Sequence, residues 1–148
     1  GEPARARRRL ADAFPQGDRH RVAALRERIF VGPAASASVL DTYAETRPRP
    51  MRRLQGAFVE ARVIVAQYQA PGHEPTLRRL EPHALAINLP AWYLVAVDHS
   101  RGGAACILRL DRISAVEVLD DGFVPRPQAV LRDARGDAAL PVQAAAGG

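Results

Sequence analysis

Two arginines in the second half of the chain have the residue type and spacing to bind an anion. Arg109 and Arg112 belong to the segment RLDRI, which follows a run of apolar residues. A guanidinium group offers parallel N–H donors that match a phosphate or a carboxylate. Because side chains alternate along a strand, Arg109 is expected to share one face with Ala105 and Ile107. The segment therefore indicates a candidate anion site.

Three further residues join this candidate site. Tyr93 could provide a ring on which a nucleic-acid base stacks, with Trp92 on the opposite face in the core. Arg79 and Arg101 are secondary candidates, and Arg101 falls in a predicted hairpin loop. The candidate ligand-binding set is therefore Tyr93, Arg109, Arg112, Arg79 and Arg101.

A purely structural role explains the same residues. Charged residues near strand ends are usually solvated or paired, and alternating aromatics usually pack. On this interpretation Arg109 and Arg112 tie neighbouring strands together through carboxylates; the candidate partners are Asp111, Glu117 and Asp98. Both interpretations stay open at this level.

The chain has no convincing catalytic or cofactor motif. Asp98, His99 and Ser100 are the residue types of a hydrolytic triad, but adjacent residues of one turn cannot form its relay. The histidines are scattered without metal-ligand spacing, and Cys106 is the single cysteine. The double glycine at 102–103 joins two predicted strands, which indicates a hairpin turn rather than a phosphate loop. We predict no enzymatic activity, no metal and no cofactor.

Length and composition indicate a soluble globular protein with one ordinary domain, or with a small domain and an appendage. The chain has 148 residues, of which 47% are hydrophobic and 25% charged. No apolar run approaches the ~18 residues of a membrane span, so no membrane partner is expected. A single cysteine forms no disulfide within the chain, and we expect a cytoplasmic protein.

The positive charge is concentrated in the N-terminal third. All 21 basic residues are arginine; residues 1–53 hold 12 of them against 6 acidic residues, and residues 54–148 hold 9 against 10. The N-terminal helices could therefore bind DNA by themselves. The break PQGD argues against a helix-turn-helix here, and a solvated connector is the favoured interpretation.

The first sixty residues have the periodicity of helices. Helices are predicted at 4–14, after a cap at Asp18, after Ser36 or Ser38, and at 51–60, with a short strand at Phe30 and Val31. The arginine- and proline-rich stretch 46–50 is expected to be a linker.

From residue 62 the period changes to that of strands. Five short strands are predicted, and Pro82 is expected to lie at an edge or a bulge. Their predicted positions are 62–68, 77–88, 92–97, 104–110 and 114–119. So many short strands predict a small, strongly bent antiparallel barrel. After residue 126 the pattern supports at most one weak helix and a tail.

An ordered set of motifs resembles the WYL domain. The tripeptide WYL at 92–94 is preceded by a strand ending in Tyr and an Arg-x-x-Pro strand, and followed by an Arg-Gly turn, RLDRI and FVPR. The match covers about residues 51–127, and the segment before it is similar to the helical connector that joins such domains to a winged helix-turn-helix.

This resemblance implies a ligand-sensing module of a bacterial transcriptional regulator. The implied fold is α+β: a helical connector at 1–50, a five-stranded Sm-like, SH3-type antiparallel barrel at 51–127, and a weakly structured tail at 128–148. The implied ligand is anionic, such as single-stranded DNA, RNA or a nucleotide. The implied protein is a homodimer that binds DNA through a helix-turn-helix absent from this chain, which we therefore expect to be a fragment.

Several positions depart from the family pattern. Basic residues that often accompany the site are replaced here by Val65, Gln67, Ala91 and Cys106. Two alternatives therefore stay open. One is a ligand-free dimerisation module, and the other is a nucleic-acid-binding accessory protein that uses its basic N-terminal helices.

Overall fold

The computed structural model describes residues 19–137 and has an α+β architecture, as the sequence predicts. The helices are α1 (Arg19–Arg26), α2 (Ala37–Thr42), α3 (Pro48–Glu60) and α4 (Pro127–Asp137). The strands are β1 (Ile29–Val31), β2 (Arg62–Tyr68), β3 (Thr76–Asn88), β4 (Ala91–Asp98), β5 (Ala104–Arg109) and β6 (Ile113–Gly122). No helix in this part of the chain is long and apolar enough to cross a membrane. The helix predicted at 4–14 and the end of the predicted tail lie outside the described residues.

Within residues 19–137 the strands form one open sheet in the order β5-β4-β3-β2-β6, with antiparallel neighbours. The sheet has six strands rather than the five of the predicted barrel, because the short strand predicted at Phe30 and Val31 is β1 and pairs in parallel with β3. This pairing occupies the part of β3 that β2 leaves free. The predicted closed barrel is not confirmed, since the described pairing does not join β5 to β6.

The long strand β3 pairs with three other strands. Its first half pairs with β2, and its second half pairs with β1, while β4 runs beside it from Leu80 to Asn88. The register with β4 shifts between Pro82 and Ala84, which confirms the bulge predicted at the proline. The two faces of the sheet carry two separate cores, and the first core includes residues of both edge strands, β5 and β6, so the sheet curves around it.

The concave face of the sheet encloses the first core. Helix α3 begins with a proline in its first turn and packs its apolar side, including Leu54 and Phe58, toward the sheet. Leu94 and Ala96 of β4 belong to the same core and are fully buried. Helix α3 therefore starts inside the stretch predicted as a linker.

The convex face of β4 is covered as well. Tyr93, Val95 and Val97 pack with Val130 and Leu131 of α4. The sequence predicts at most a weak helix here, whereas α4 runs for 11 residues and its apolar side is buried. Both faces of β4, the strand that carries the WYL tripeptide and that we call the signature strand, are therefore removed from solvent over most of its length.

Candidate anion-binding site

Arg109 is held in a two-pronged ion pair. Its Nε and Nη2 donate to the two carboxylate oxygens of Asp111 at 3.1 and 2.9 Å. The side chains of Arg109 and Asp111 are only 11% and 3% exposed. The hydrogen bonds to Asp111 raise the pKa of the Arg109 guanidinium. Arg109 therefore pairs with Asp111, one of the carboxylates named for a structural role, and its planar donors are largely occupied by described residues.

The same ion pair holds the connector against the sheet. Asp111 also accepts the backbone N–H of Ala44 at 3.0 Å, and Arg109 Nη1 donates to Thr42 Oγ1 at 2.9 Å. The guanidinium carbon of Arg109 lies 5.1 Å from the ring centroid of Tyr43. In turn, the backbone N–H of Trp92 donates to the Tyr43 hydroxyl at 3.0 Å. We call Arg109, Asp111, Thr42, Tyr43 and Ala44 the connector clamp.

Tyr93 does not offer its ring to solvent. The residue is 4% exposed, and it lies directly opposite Arg109 on the neighbouring strand. Burial raises the pKa of its hydroxyl. Trp92, predicted to be in the core, is 37% exposed instead. The alternation along β4 is as predicted, but the face of Tyr93 is covered by α4 and the segment around α2.

Arg112 lies at the edge of an open cleft of about 300 Å³. The connector contributes Thr42, Ala44 and Arg47 to its walls, and the sheet side contributes Gln69, Ala70, Pro71, Gly72, Asp111, Arg112 and Ser114. Within residues 19–137, the guanidinium groups of Arg47 and Arg112 make no hydrogen bond or ion pair. We call this space the arginine cleft. None of its lining residues is aromatic.

Arg79 and Arg101 lie at the opposite end of the β4–β5 hairpin. Asp98 pairs with Ala104 five residues along from the pair of Tyr93 and Arg109, which corresponds to roughly 17 Å at ~3.3 Å per residue. Arg79 forms an ion pair with Asp121, and the two side chains are 48% and 61% exposed. Arg101 is exposed in the turn between the strands. The five candidate residues therefore do not form one site.

The triad-like residues have other partners. Asp98 is fully buried, where it pairs with Arg78 and accepts the backbone N–H of Ser100. His99 Nε2 lies 2.8 Å from a carboxylate oxygen of Glu81 instead. In the part of the chain that the structure describes, no His, Cys, Asp and Glu side chains cluster in a way that could hold a metal ion.

Two residues that organise this region are not among the candidates indicated by the sequence. Tyr43 follows the helix predicted after Ser36 or Ser38, and its ring and hydroxyl contact Arg109 and the backbone of Trp92. Arg47 was placed in a linker, although it lines the arginine cleft. The sequence carries a signal for Arg47: the prolines at 48 and 50 are typical of the first turn of a helix. Arg47 is the residue that caps this helix, α3.

Arg28 is a third missed residue. It was assigned to a solvated helix, yet it is 5% exposed and its guanidinium donates to the carbonyl oxygens of His83, Phe58 and Pro82 at 3.0, 2.6 and 2.6 Å. Burial lowers the pKa of Arg28 to about 10. Arg28, just before β1, thus joins the connector to the bulge of β3.

The bent sheet, the helix across its concave face and the cleft beside the signature hairpin define the class of domain. A model of the WYL domain family matches residues 50–118. The chain therefore contains a WYL domain, as its motif order predicts.

A solved structure extends this similarity beyond the family match. The chain is similar to proteasome accessory factor B/C (PafBC) of Arthrobacter aurescens, with 26% sequence identity and a TM-score of 0.52. The similarity covers 74% of this chain and 17% of the PafBC chain. Comparison with curated protein sequences finds no match.

Proposed function

We propose that the chain is the regulatory part of a bacterial transcriptional regulator and that an anionic ligand binds in the arginine cleft. The WYL domain and the similarity to PafBC support a regulatory role. The observation that carries the ligand proposal is a pair of guanidinium groups, those of Arg47 and Arg112, that line one cleft and have no hydrogen-bond or ion-pair partner within residues 19–137. In this proposal the protein acts by binding and not by catalysis.

The proposed ligand carries a phosphate or a carboxylate. Guanidinium groups bind both through parallel hydrogen bonds, and the backbone of single-stranded DNA or RNA and the phosphate of a nucleotide satisfy this requirement. The cleft has no aromatic lining, and the ring of Tyr93 is buried. Recognition is therefore proposed to rest on charge and hydrogen bonding rather than on base stacking.

Ligand binding would be coupled to the connector through the clamp. Thr42, Ala44 and Asp111 belong both to the connector clamp and to the walls of the cleft. A ligand that binds these walls more tightly in one connector position than in another shifts the population toward that position. The connector leads toward the N-terminal end, where the proposed helix-turn-helix would be attached.

The proposal also includes a barrel-like fold and a dimeric assembly. We propose that the open sheet is a variant of the Sm-like barrel, since one core is shared by α3 and all strands from β2 to β6. A cytoplasmic homodimer is the assembly that the WYL resemblance implies.

The test is calorimetric titration of the chain with a mononucleotide, AMP, and with a six-nucleotide single-stranded oligonucleotide. Arg112→Gln is expected to weaken binding about 10- to 100-fold, which corresponds to a lost charged hydrogen bond of about 1.5–3 kcal/mol. Arg101→Gln removes the same charge at the far end of the hairpin and is expected to leave binding unchanged. Equal effects of the two substitutions, or no binding by the wild type, would refute the proposed site.

A second titration tests the role of Arg109. The donors of Arg109 are occupied by Asp111 and Thr42. Arg109→Ala is therefore expected to loosen the connector and not to remove a direct contact with the ligand. Hydrogen exchange of the Ala44 amide should rise in this variant without ligand. If Arg109→Ala leaves exchange of the Ala44 amide unchanged but abolishes binding of AMP and the oligonucleotide, Arg109 contacts the ligand directly.

A further inference from the structure

A row of arginines occupies the exposed side of the first half of helix α3. Arg49, Arg52 and Arg53 are three and four residues apart, so their side chains lie on one face of the helix. All three are exposed, while Pro50 and Leu54 face the core. The row is distinct from the WYL hairpin, and the proposed regulatory function does not use it.

The row is poorly balanced by negative charge. Arg53 donates to the backbone carbonyl of Val116 at 3.2 Å, and Arg49 and Arg52 make no hydrogen bond or ion pair within residues 19–137. The first turn of α3 contains no acidic residue. Glu60, at the far end of the helix, forms an ion pair with Arg62. Glu45 and Glu117 are exposed acidic residues in the adjoining segments.

This arrangement opposes folding. Like charges three and four residues apart repel each other on a helix surface, and cations near a helix N-terminus face the positive end of its dipole. Pro48 and Pro50 have no backbone N–H, so the helix end supplies few donors of its own. The arginine side chains themselves must therefore account for any affinity of this surface for anions.

We propose that Arg49, Arg52 and Arg53 contact the phosphodiester backbone of a nucleic acid. Guanidinium groups recognise phosphate by parallel hydrogen bonds, and a row of them matches successive phosphates of a polymer better than one isolated phosphate. Arg47 and Arg112 in the arginine cleft add to the positive charge near the start of the helix. The surface goes beyond the proposed ligand site and does not depend on it.

The experiment measures fluorescence anisotropy of a 20-base-pair duplex and of a 20-nucleotide single strand with the complete chain between 50 and 200 mM salt. The double variant Arg49→Gln/Arg52→Gln is expected to reduce the salt slope of the logarithm of the binding constant by about 2 for duplex DNA and somewhat less for a single strand. The probe whose salt slope falls more in this variant identifies which nucleic acid the surface contacts. The variant keeps the arginines of residues 1–18, so the difference reports on α3.

A matched control removes the same charge elsewhere. Arg101→Gln/Arg132→Gln changes two exposed arginines of the hairpin turn and α4. A slope reduced equally by both double variants would show an effect of net charge and overturn the proposal. Wild-type binding to neither probe would overturn it as well, as would equally tight binding of a labelled poly-glutamate of equal charge.

Two further variants separate this surface from folding and from the cleft. Arg49→Lys/Arg52→Lys keeps both charges and is expected to retain the wild-type slope, whereas an equal loss in this variant would contradict the proposal. Arg112→Gln tests the arginine cleft. If Arg112→Gln loses AMP binding but keeps the wild-type salt slope for duplex DNA, the cleft and the α3 surface are separate. If the wild type itself does not bind AMP, the test of α3 is unaffected.

Discussion

Arg109 and Asp111 are two residues apart in the chain and form a buried, two-pronged ion pair that also holds the connector. Both carboxylate oxygens accept from Arg109, and one of them also accepts the N–H of Ala44, 67 positions away. The sequence indicates Arg109 as part of an anion site. In the structure, Arg109 instead holds Asp111 and the connector together. The other arginine of the RLDRI segment, Arg112, is half-buried and lines the arginine cleft.

The first prediction concerns this tie. Asp111→Asn removes one partner of a largely buried pair and places an amide donor near the guanidinium, so it is expected to lower the free energy of unfolding by about 3 kcal/mol. Urea denaturation measures this loss. Asp121→Asn breaks the exposed pair with Arg79 and is expected to cost less than about 1 kcal/mol. Losses of equal size would show that the connector clamp contributes nothing special.

The second prediction concerns Arg28. Arg28→Ala leaves the carbonyl oxygens of Phe58, Pro82 and His83 without their donor in the interior, so a loss of about 3 kcal/mol or more in unfolding free energy is expected. Arg28→Lys should restore only part of it, because an ammonium lacks the planar spread of donors. Arg21→Ala, on the exposed side of α1, is expected to change stability by less than about 0.5 kcal/mol. A similar loss in the Arg21 and Arg28 variants would contradict the assigned role of Arg28.

The third prediction concerns pH and His83. The backbone N–H of Arg126 donates to His83 Nδ1 at 2.9 Å, so Nε2 carries the proton and donates to Glu81 at 2.8 Å. Burial lowers the pKa of His83, although Glu81 acts in the opposite direction. The unfolded chain therefore takes up a proton at higher pH than the folded chain, and the free energy of unfolding should fall as the pH drops below about 6.5.

Urea denaturation at pH 7.5 and 5.5 tests this dependence, because ordinary carboxylates titrate below that range. His83→Gln is expected to be less stable than the wild type at pH 7.5 but to lose less free energy between the two pH values. The same change at the exposed His73 serves as the control. An unchanged pH dependence in His83→Gln would assign the effect to another group.

The fourth prediction concerns the single cysteine. Burial raises the pKa of Cys106 to about 11, so the thiolate that reacts with disulfide reagents is scarce near pH 8. The native chain is expected to react with such a reagent roughly 100-fold more slowly at pH 8 than the urea-unfolded chain, whose thiol has an ordinary pKa of about 8.5. Absorbance of the released thiol measures both rates. Comparable rates would show that Cys106 is accessible and its pKa unshifted.

Much of the fold follows from local patterns. The alternation from residue 62 onward predicts the strands to within a few residues, and Pro82 predicts the bulge because it cannot complete the pairing ladder. The motif order around WYL predicts the family that residues 50–118 match. For β1, local patterns predict only a short strand at Phe30 and Val31. They do not predict its partner, because β1 pairs with a segment of β3 more than fifty residues away.

The candidate site was predicted less completely because its environment is made by distant segments. Side-chain alternation by itself determined that Arg109 and Tyr93 belong to strands and which neighbours share their faces. Only the tertiary structure decided that α4 and the segment around α2 cover that face, which buries Tyr93 and pairs Arg109 inside. The physical reason is that periodicity records which side of a strand a residue occupies, whereas solvent access depends on what packs against that side. Arg112 and Arg47 line an open cleft because the connector contacts RLDRI at Arg109 and Asp111 and leaves a gap beside Arg112.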